Sequence, residues 1–458
     1  MGDEDGRDDF GTGGEPGRPE EEALLRFLSQ FGITPGPDGR LDMQELMGRM
    51  QSMMAAFTSQ LASFGPTESD SGMNWRFTKD IARKLTASAG PDPTPSASQL
   101  TAIRSAAELA DLWLDEEIAF PPLSPRPMAW SRAEWVENTF DTWQQLIRPV
   151  VTQLSHTLGG LLDSQAGGDP AAAGMLQPMI RTAASGMFAA QVGQSLGRLA
   201  VEAFSAGDIG LPLTARPVVA LLPTNVARFG EGLEVAAPDL LLFLALRETA
   251  RQRLFAAVGW LGPQLLALVE HYARGITIDP SALEQAIESQ LGSAMTAEEV
   301  EQAGQAVAGS LFVPQVSEEQ RAVLGRLETL LALVEGWVDE VVDRATRERM
   351  PAAASLTEML RRRRAAGGPA EAALKALVGL ELRPRRTRDA ANLWAATRAT
   401  RGAAARDASW AHPDLVPSAA ELDDPLGYAE HGHQSPTPDD LDAELGRLLE
   451  EEGGSTGA

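Results

Sequence analysis

The stretch Pro238-Asp-Leu-Leu-Leu-Phe-Leu-Ala-Leu-Arg-Glu-Thr-Ala-Arg-Gln-Arg-Leu-Phe-Ala-Ala-Val-Gly-Trp-Leu261 decides how the chain is read. Apolar residues run unbroken from Leu240 to Leu246 and then straight into Arg247-Glu248-Thr249-Ala250-Arg251. A helix apolar on all sides belongs in a core. Charges at i, i+1 and i+4 of such a helix must therefore find partners inside the protein. The apolar run is far shorter than the roughly 20 residues that cross a bilayer, so this is a core helix and no membrane insertion is expected.

Outward from Pro238–Leu261, helical periodicity dominates. It predicts helices over Trp75–Leu85, Ser98–Ile118, Ser131–Leu162, Ala171–Ala206, Gln264–Arg274, Pro280–Leu291 and Glu318–Arg349. Further helices are expected over Ala352–Ala366, Ala370–Val378 and Asp389–Thr400. Ser131 followed by Glu134 makes a capping box, Pro149 should kink the helix behind it, and Gly186, Gly193 and Gly197 permit close helix approach. Val218–Leu222 is the one candidate strand. The expected fold is mostly α: a single large helical domain over 73–426 with one small strand element. Before it come an acidic leader (1–22) and a Met-rich helical arm with linker (23–72). After it comes an acidic tail (427–458).

Composition narrows the chemistry. The 458 residues include no cysteine, which removes disulfides, thiolate metal sites and Cys nucleophiles. The net charge of −25 is uneven: residues 1–22 carry nine acids against two arginines, and 421–458 carry eleven against one. Such Gly-, Pro- and acid-rich ends read as disordered. Between them, residues 344–406 hold fifteen basic residues against five acids, including Arg361 to Arg364 and Arg383–Arg388. A basic stripe can be a nucleic-acid footprint, but acidic tails would compete for it, and a solvated face partly neutralised by the tails is the plainer reading. The start, Met1-Gly-Asp-Glu-Asp-Gly-Arg7, is no secretory signal, and a cytoplasmic location is expected.

No Gly-x-Ser-x-Gly elbow, P-loop or His-rich cluster is present. Asp111, Asp115, Glu116 and Glu117 form an acidic turn, read as an exposed face in preference to a cation site. Of five histidines, His156 reads as a solvent-edge residue, His412 as a loop contact to Asp414, and His431 and His433 as tail residues. Arg247, Glu248 and Arg251 repeat the spacing of His-Glu-x-x-His, in which two imidazoles at i and i+4 grip one Zn²⁺ and the Glu takes a proton from its bound water. Arginine has no lone pair for a metal. Glu248 and Arg251, three residues apart, are instead placed to form an ion pair.

Several landmarks occur in order along the chain: Asn74-Trp75 with Asp80-Ile-Ala-Arg83, Ala129-Trp-Ser-Arg-Ala-Glu-Trp135, Gly186-Met-Phe-Ala-Ala-Gln-Val-Gly193 and Asp208-Ile-Gly-Leu-Pro212. Leu222-Pro-Thr-Asn225, Phe229-Gly-Glu-Gly-Leu233, Ala245–Phe255, Leu330–Asp339 and Trp410-Ala-His-Pro-Asp-Leu415 continue the series. Through them residues 73–425 resemble the zincin-like metallopeptidase type 2 family, a bacterial group of hydrolases. The resemblance implies a zinc-dependent metallopeptidase with Glu248 as general base. It puts metal-binding histidines where Arg247 and Arg251 stand and an acidic ligand at Glu335, and His271, the histidine nearest in sequence, is the candidate to replace a missing one. With both positions arginine, the expectation is a hydrolase impaired or inactive in zinc chemistry. Its alternative is a non-catalytic scaffold for a protein or peptide, and a third reading is a nucleic-acid-associated protein using 344–406.

Overall fold

The structure is a computed structural model that describes residues 73–165, 170–276, 317–365, 369–380 and 386–432. The expected leader, Met-rich arm, helix 280–291, residues 383–385 of the arginine run and the tail beyond Gly432, with His433, lie outside these. All described residues fall in one of the two units into which the chain divides, Pro66–Ile287 with Met295–Ala458.

Helix α1 (Trp75–Ser88) starts where the Asn74 side chain accepts from Phe77 N at 3.0 Å. Helix α2 spans Ala97–Asp115 behind a Ser96/Gln99 capping box. After strand β1 (Met128–Ala129) comes the long α3 (Arg132–Gln165). Its capping box is the expected one, with Glu134 N donating to Ser131 Oγ at 3.1 Å and Ser131 N to Glu134 at 2.7 Å. Asp92 adds a second cap, its carboxylate accepting from the backbone of Arg132 at 2.9 Å and Ala133 at 3.0 Å. These groups satisfy N–H donors that no helix can satisfy itself. Helix α4 (Pro170–Glu202) packs on α1. Gly193 and Gly197 make that approach possible, since a Cβ on them would lie 2.5 Å from Thr78 O and 2.9 Å from Ala82 O.

The expected strand shrinks to β2 (Ala220–Leu221), paired in parallel with β1. That partner, Met128–Ala129, has no sequence pattern of its own. The short α5 (Pro223–Gly230) leads to the deciding helix α6 (Ala237–Ala257), then α7 (Leu261–Arg274). Among the described residues no single helix is long and apolar enough to cross a membrane; α6 and α7 pass such a test only together, bent by 92°. Every residue of α6 from Phe243 to Phe255 is buried, its charges included. Apolar burial on all sides, more than any local propensity, holds this helix in place.

Helix α8 (Glu318–Thr346) runs against α6, and α9 (Ala353–Ala365) and α10 (Pro369–Val378) follow. Helix α11 (Thr387–Arg401) crosses α8 so closely that a Cβ on Gly336 would come within 2.6 Å of Ala390 Cβ. Three short helices, α12 (Ala403–Ala408), α13 (Ala419–Asp423) and α14 (Pro425–His431), close the described chain. In α14 Tyr428 is buried and its hydroxyl bonds Ser409 at 3.0 Å. The helical body therefore reaches beyond 426, and His431 belongs to a packed helix, not to the tail.

Candidate functional site

The charged turn of α6 meets α8, α9 and the Ser205–Gly210 loop in one buried cluster. Glu248 is fully buried, and four donors converge on it. Ser205 Oγ (2.7 Å) and Arg251 Nη1 (2.8 Å) reach Oε2, while Gly207 N (2.9 Å) and Gln252 Nε2 (2.8 Å) reach Oε1. The expected Glu248–Arg251 pair is thus present. Arg251 also spans to α8, giving Glu335 Oε1 bonds from Nε at 3.0 Å and Nη2 at 2.8 Å. Arg247 turns away from Glu248, its neighbour, and donates to Asp339 at 2.6 Å and Glu335 at 3.1 Å.

From α9, Arg364 Nη2 reaches Glu335 Oε2 at 2.6 Å and Arg361 Nη2 reaches Asp339 at 3.0 Å. Arg363 covers the Phe204 ring at 4.0 Å and lies 3.6 Å from Asp208. Gly207 leaves room for the cluster: a Cβ there would meet Gln252 Nε2 at 2.9 Å and Arg251 Cδ at 3.0 Å. The positive φ of Gly210, +80°, turns the same loop back over Glu335.

Burial pushes the Glu248 carboxyl above the usual carboxylate range, against the pull of Arg251, Ser205, Gln252 and Gly207. Burial acts the same way on Glu335, but Arg251, Arg364 and Arg247 outweigh it and hold that group at about 2. Asp339 is likewise held low, mainly by Arg247. Arg251, between two carboxylates, is held more firmly protonated than a free arginine.

Of the residues singled out in the sequence, the structure brings Glu248 and Glu335 together, bridged by Arg251. It does not bring His271 to them. His271 is half-exposed on α7 and bonds Glu319 at 2.9 Å. Glu319 and Glu335 stand sixteen residues apart on α8, about 24 Å along a helix axis. His412 Nδ1 accepts from Asp414 N at 3.2 Å, the loop contact expected of it. Ser205, Gly207, Gln252 and Asp339 carried no reading as site residues, and Arg364 was read only as part of the basic stripe. The only signal for any of them was the i,i+4 spacing of Glu335 and Asp339, which puts both on one face of α8.

A zinc ion requires lone pairs directed at one point. Here the oxygens of Glu248 and Glu335 already accept from the protein's own donors, and among the groups around them are guanidiniums, which have no lone pair to give a metal. Among the described residues no group of three His, Asp or Glu is arranged to hold a metal. These residues do not fit the ion.

The acidic turn of α2 is no free face either. Asp111 and Asp115 hold Arg253 at 3.2 and 2.7 Å, Glu116 pairs with Arg349, and Arg344 approaches Glu117 at 3.9 Å. The arginines of 344–406 are engaged in the same way. Arg398 and Arg406 hold Glu340, Arg362 holds Glu358, and Arg386 holds Asp423. Acids within the described residues thus neutralise much of the described part of the stripe.

A family model described as zincin-like metallopeptidase matches residues 73–429. The chain belongs to this zincin-like family. A crystal structure from Chloroflexus aurantiacus, described as a "putative hydrolase with a novel fold", shares the fold with a TM-score of 0.52 at 20% identity. The match covers 78% of this chain and 98% of that one. A search of curated proteins finds no match.

Proposed function

We propose that this zincin-like protein has exchanged zinc chemistry for a salt-bridged core and works as a non-catalytic scaffold for a protein or peptide. The observation that carries this reading is Arg251, whose guanidinium bridges Glu248 and Glu335 at 2.8 Å on either side. A general base of a zincin must accept a proton from metal-bound water. Glu248 instead accepts from Ser205, Gly207, Gln252 and Arg251 in a site closed to solvent. A cation fixed to the chain does the charge balancing that a metal would do.

The hydrolase reading keeps in its favour the family itself and a buried carboxylate at Glu248, the residue the resemblance would make the general base. The nucleic-acid reading loses support, because phosphate binding requires cations free to replace counterions and these are largely paired with acids. The deciding experiment is elemental analysis of untagged protein, purified without chelator or metal resin and then dialysed against zinc. Far less than equimolar zinc, with no zinc-dependent peptide cleavage, is expected. Equimolar zinc, with cleavage abolished in Glu248→Gln, would overturn the scaffold reading and restore the metallopeptidase.

A further inference from the structure

A cleft of about 900 Å³ lies between α3 and α7 and shares no residue with the Glu248 cluster. That volume falls at the upper end of the range of ligand sites, about 300–1,000 Å³. One wall is a stripe of α3: Asp141, Gln144, Gln145, Arg148, Gln153 and His156. Apart from the adjacent Gln144 and Gln145, their three- to five-residue spacings keep these side chains on one side of the helix. From Asp141 to His156 the stripe is about 22 Å long. The other wall is α7, where Glu270 and Arg274 pair with each other.

Among the described residues Arg148 makes no ion pair and no side-chain hydrogen bond, although Asp141 lines the same cleft. The side chains of Gln144, Gln145 and Gln153 likewise bond no other described residue. Each primary amide offers both donors and an acceptor, the complement of a peptide unit's C=O and N–H. Pro149, in the middle of the stripe, has no N–H for the carbonyl of Gln145 four residues back. A further acceptor is thereby left without its helical partner.

We propose that this cleft binds an extended, polar peptide segment of about seven residues, which at about 3.3 Å per residue matches the stripe, with one carboxylate seated on Arg148. Charge balance selects this ligand class. Arg148 and Arg274 face Asp141 and Glu270, so a polyanion gains little. Among the described residues, the lining holds no aromatic ring on which a base would stack, and no Leu, Ile, Val, Met or Phe to seat the apolar face of an amphipathic helix. The inference rests on the scaffold reading and gives its peptide a place.

The test is a selection of phage-displayed random heptapeptides on the intact protein, with Arg148→Glu and Arg216→Glu proteins as comparators. Arg216 is exposed and outside the cleft, so its variant controls for net charge. The expected result is enrichment of polar, acid-containing peptides. Their synthetic forms should bind at least tenfold more weakly to Arg148→Glu and to Gln153→Ala, and unchanged to Arg216→Glu. Circular dichroism checks that each variant is folded. No enrichment, or equal binding by Arg148→Glu, overturns the cleft and leaves the zinc-free reading standing. Zinc-dependent cleavage of a selected peptide, read by mass spectrometry, overturns the scaffold reading and leaves the cleft.

Discussion

Arg251 is the side chain on which the buried cluster depends. Both carboxylates it serves are closed to solvent, and removing one partner of a buried pair strands the other. Arg251→Ala is expected to lower unfolding free energy by about 3–5 kcal/mol, measured by urea denaturation. Arg347→Ala, which removes the exposed i,i+4 pair with Asp343, should cost at most about 1 kcal/mol. Equal losses would show that Arg251 is not holding buried charge.

The same cluster sets an acid limit. Glu335 titrates at about 2 in the fold against an ordinary 4.5, so the folded state holds its proton less tightly than the unfolded chain. Its contribution, on the order of 3 kcal/mol, is complete above the unfolded value and disappears as pH falls from about 4.5 towards 2. Asp339, also held low, adds in the same direction. Glu248, raised by burial, has the opposite sign. Glu335→Gln should therefore start less stable at neutral pH, yet lose less than the parent on acidification, as read from urea midpoints across that window.

At the scale of elements, the Ser205–Gly210 loop closes the cluster because Gly207 lacks a side chain. Gly207→Ala would press a methyl group against Gln252, Arg251 and Glu248. Overpacking of this kind costs about 1–3 kcal/mol, visible in the urea midpoint, and protection of the Gly207 amide in hydrogen exchange should fall with it. Elements also show which signals local sequence carries. The α3 start was legible because Ser131 and Glu134 cap within one turn. The Asp92 cap on the same helix end was not, since its carboxylate arrives from forty residues away. Strand β1 was invisible, for two residues paired only with β2 leave no period.

Across the whole molecule, a fixed guanidinium cannot be removed by a chelator. A ligand that binds only the native state raises Tm through mass action. Neither added zinc nor chelator treatment should therefore shift the thermal midpoint of this protein. A rise with zinc that chelator reverses would mean a bound metal contributes to the fold.

The sequence by itself determined the helical class, the core placement of α6, the landmarks of the zincin-like family and the pairing of Glu248 with Arg251. All of these rest on periodicity or on neighbours within one helical turn. Only the tertiary structure decided that Glu335 shares Arg251 with Glu248, that His271 on α7 meets α8 sixteen residues away from Glu335, and that Arg364 and Arg361 of α9 close over Glu335 and Asp339. Residues 84 to 88 positions apart meet only through helix packing. In a buried cluster the choice of partner depends on which carboxylate desolvation has left most in need of a cation, and no spacing along the chain encodes that.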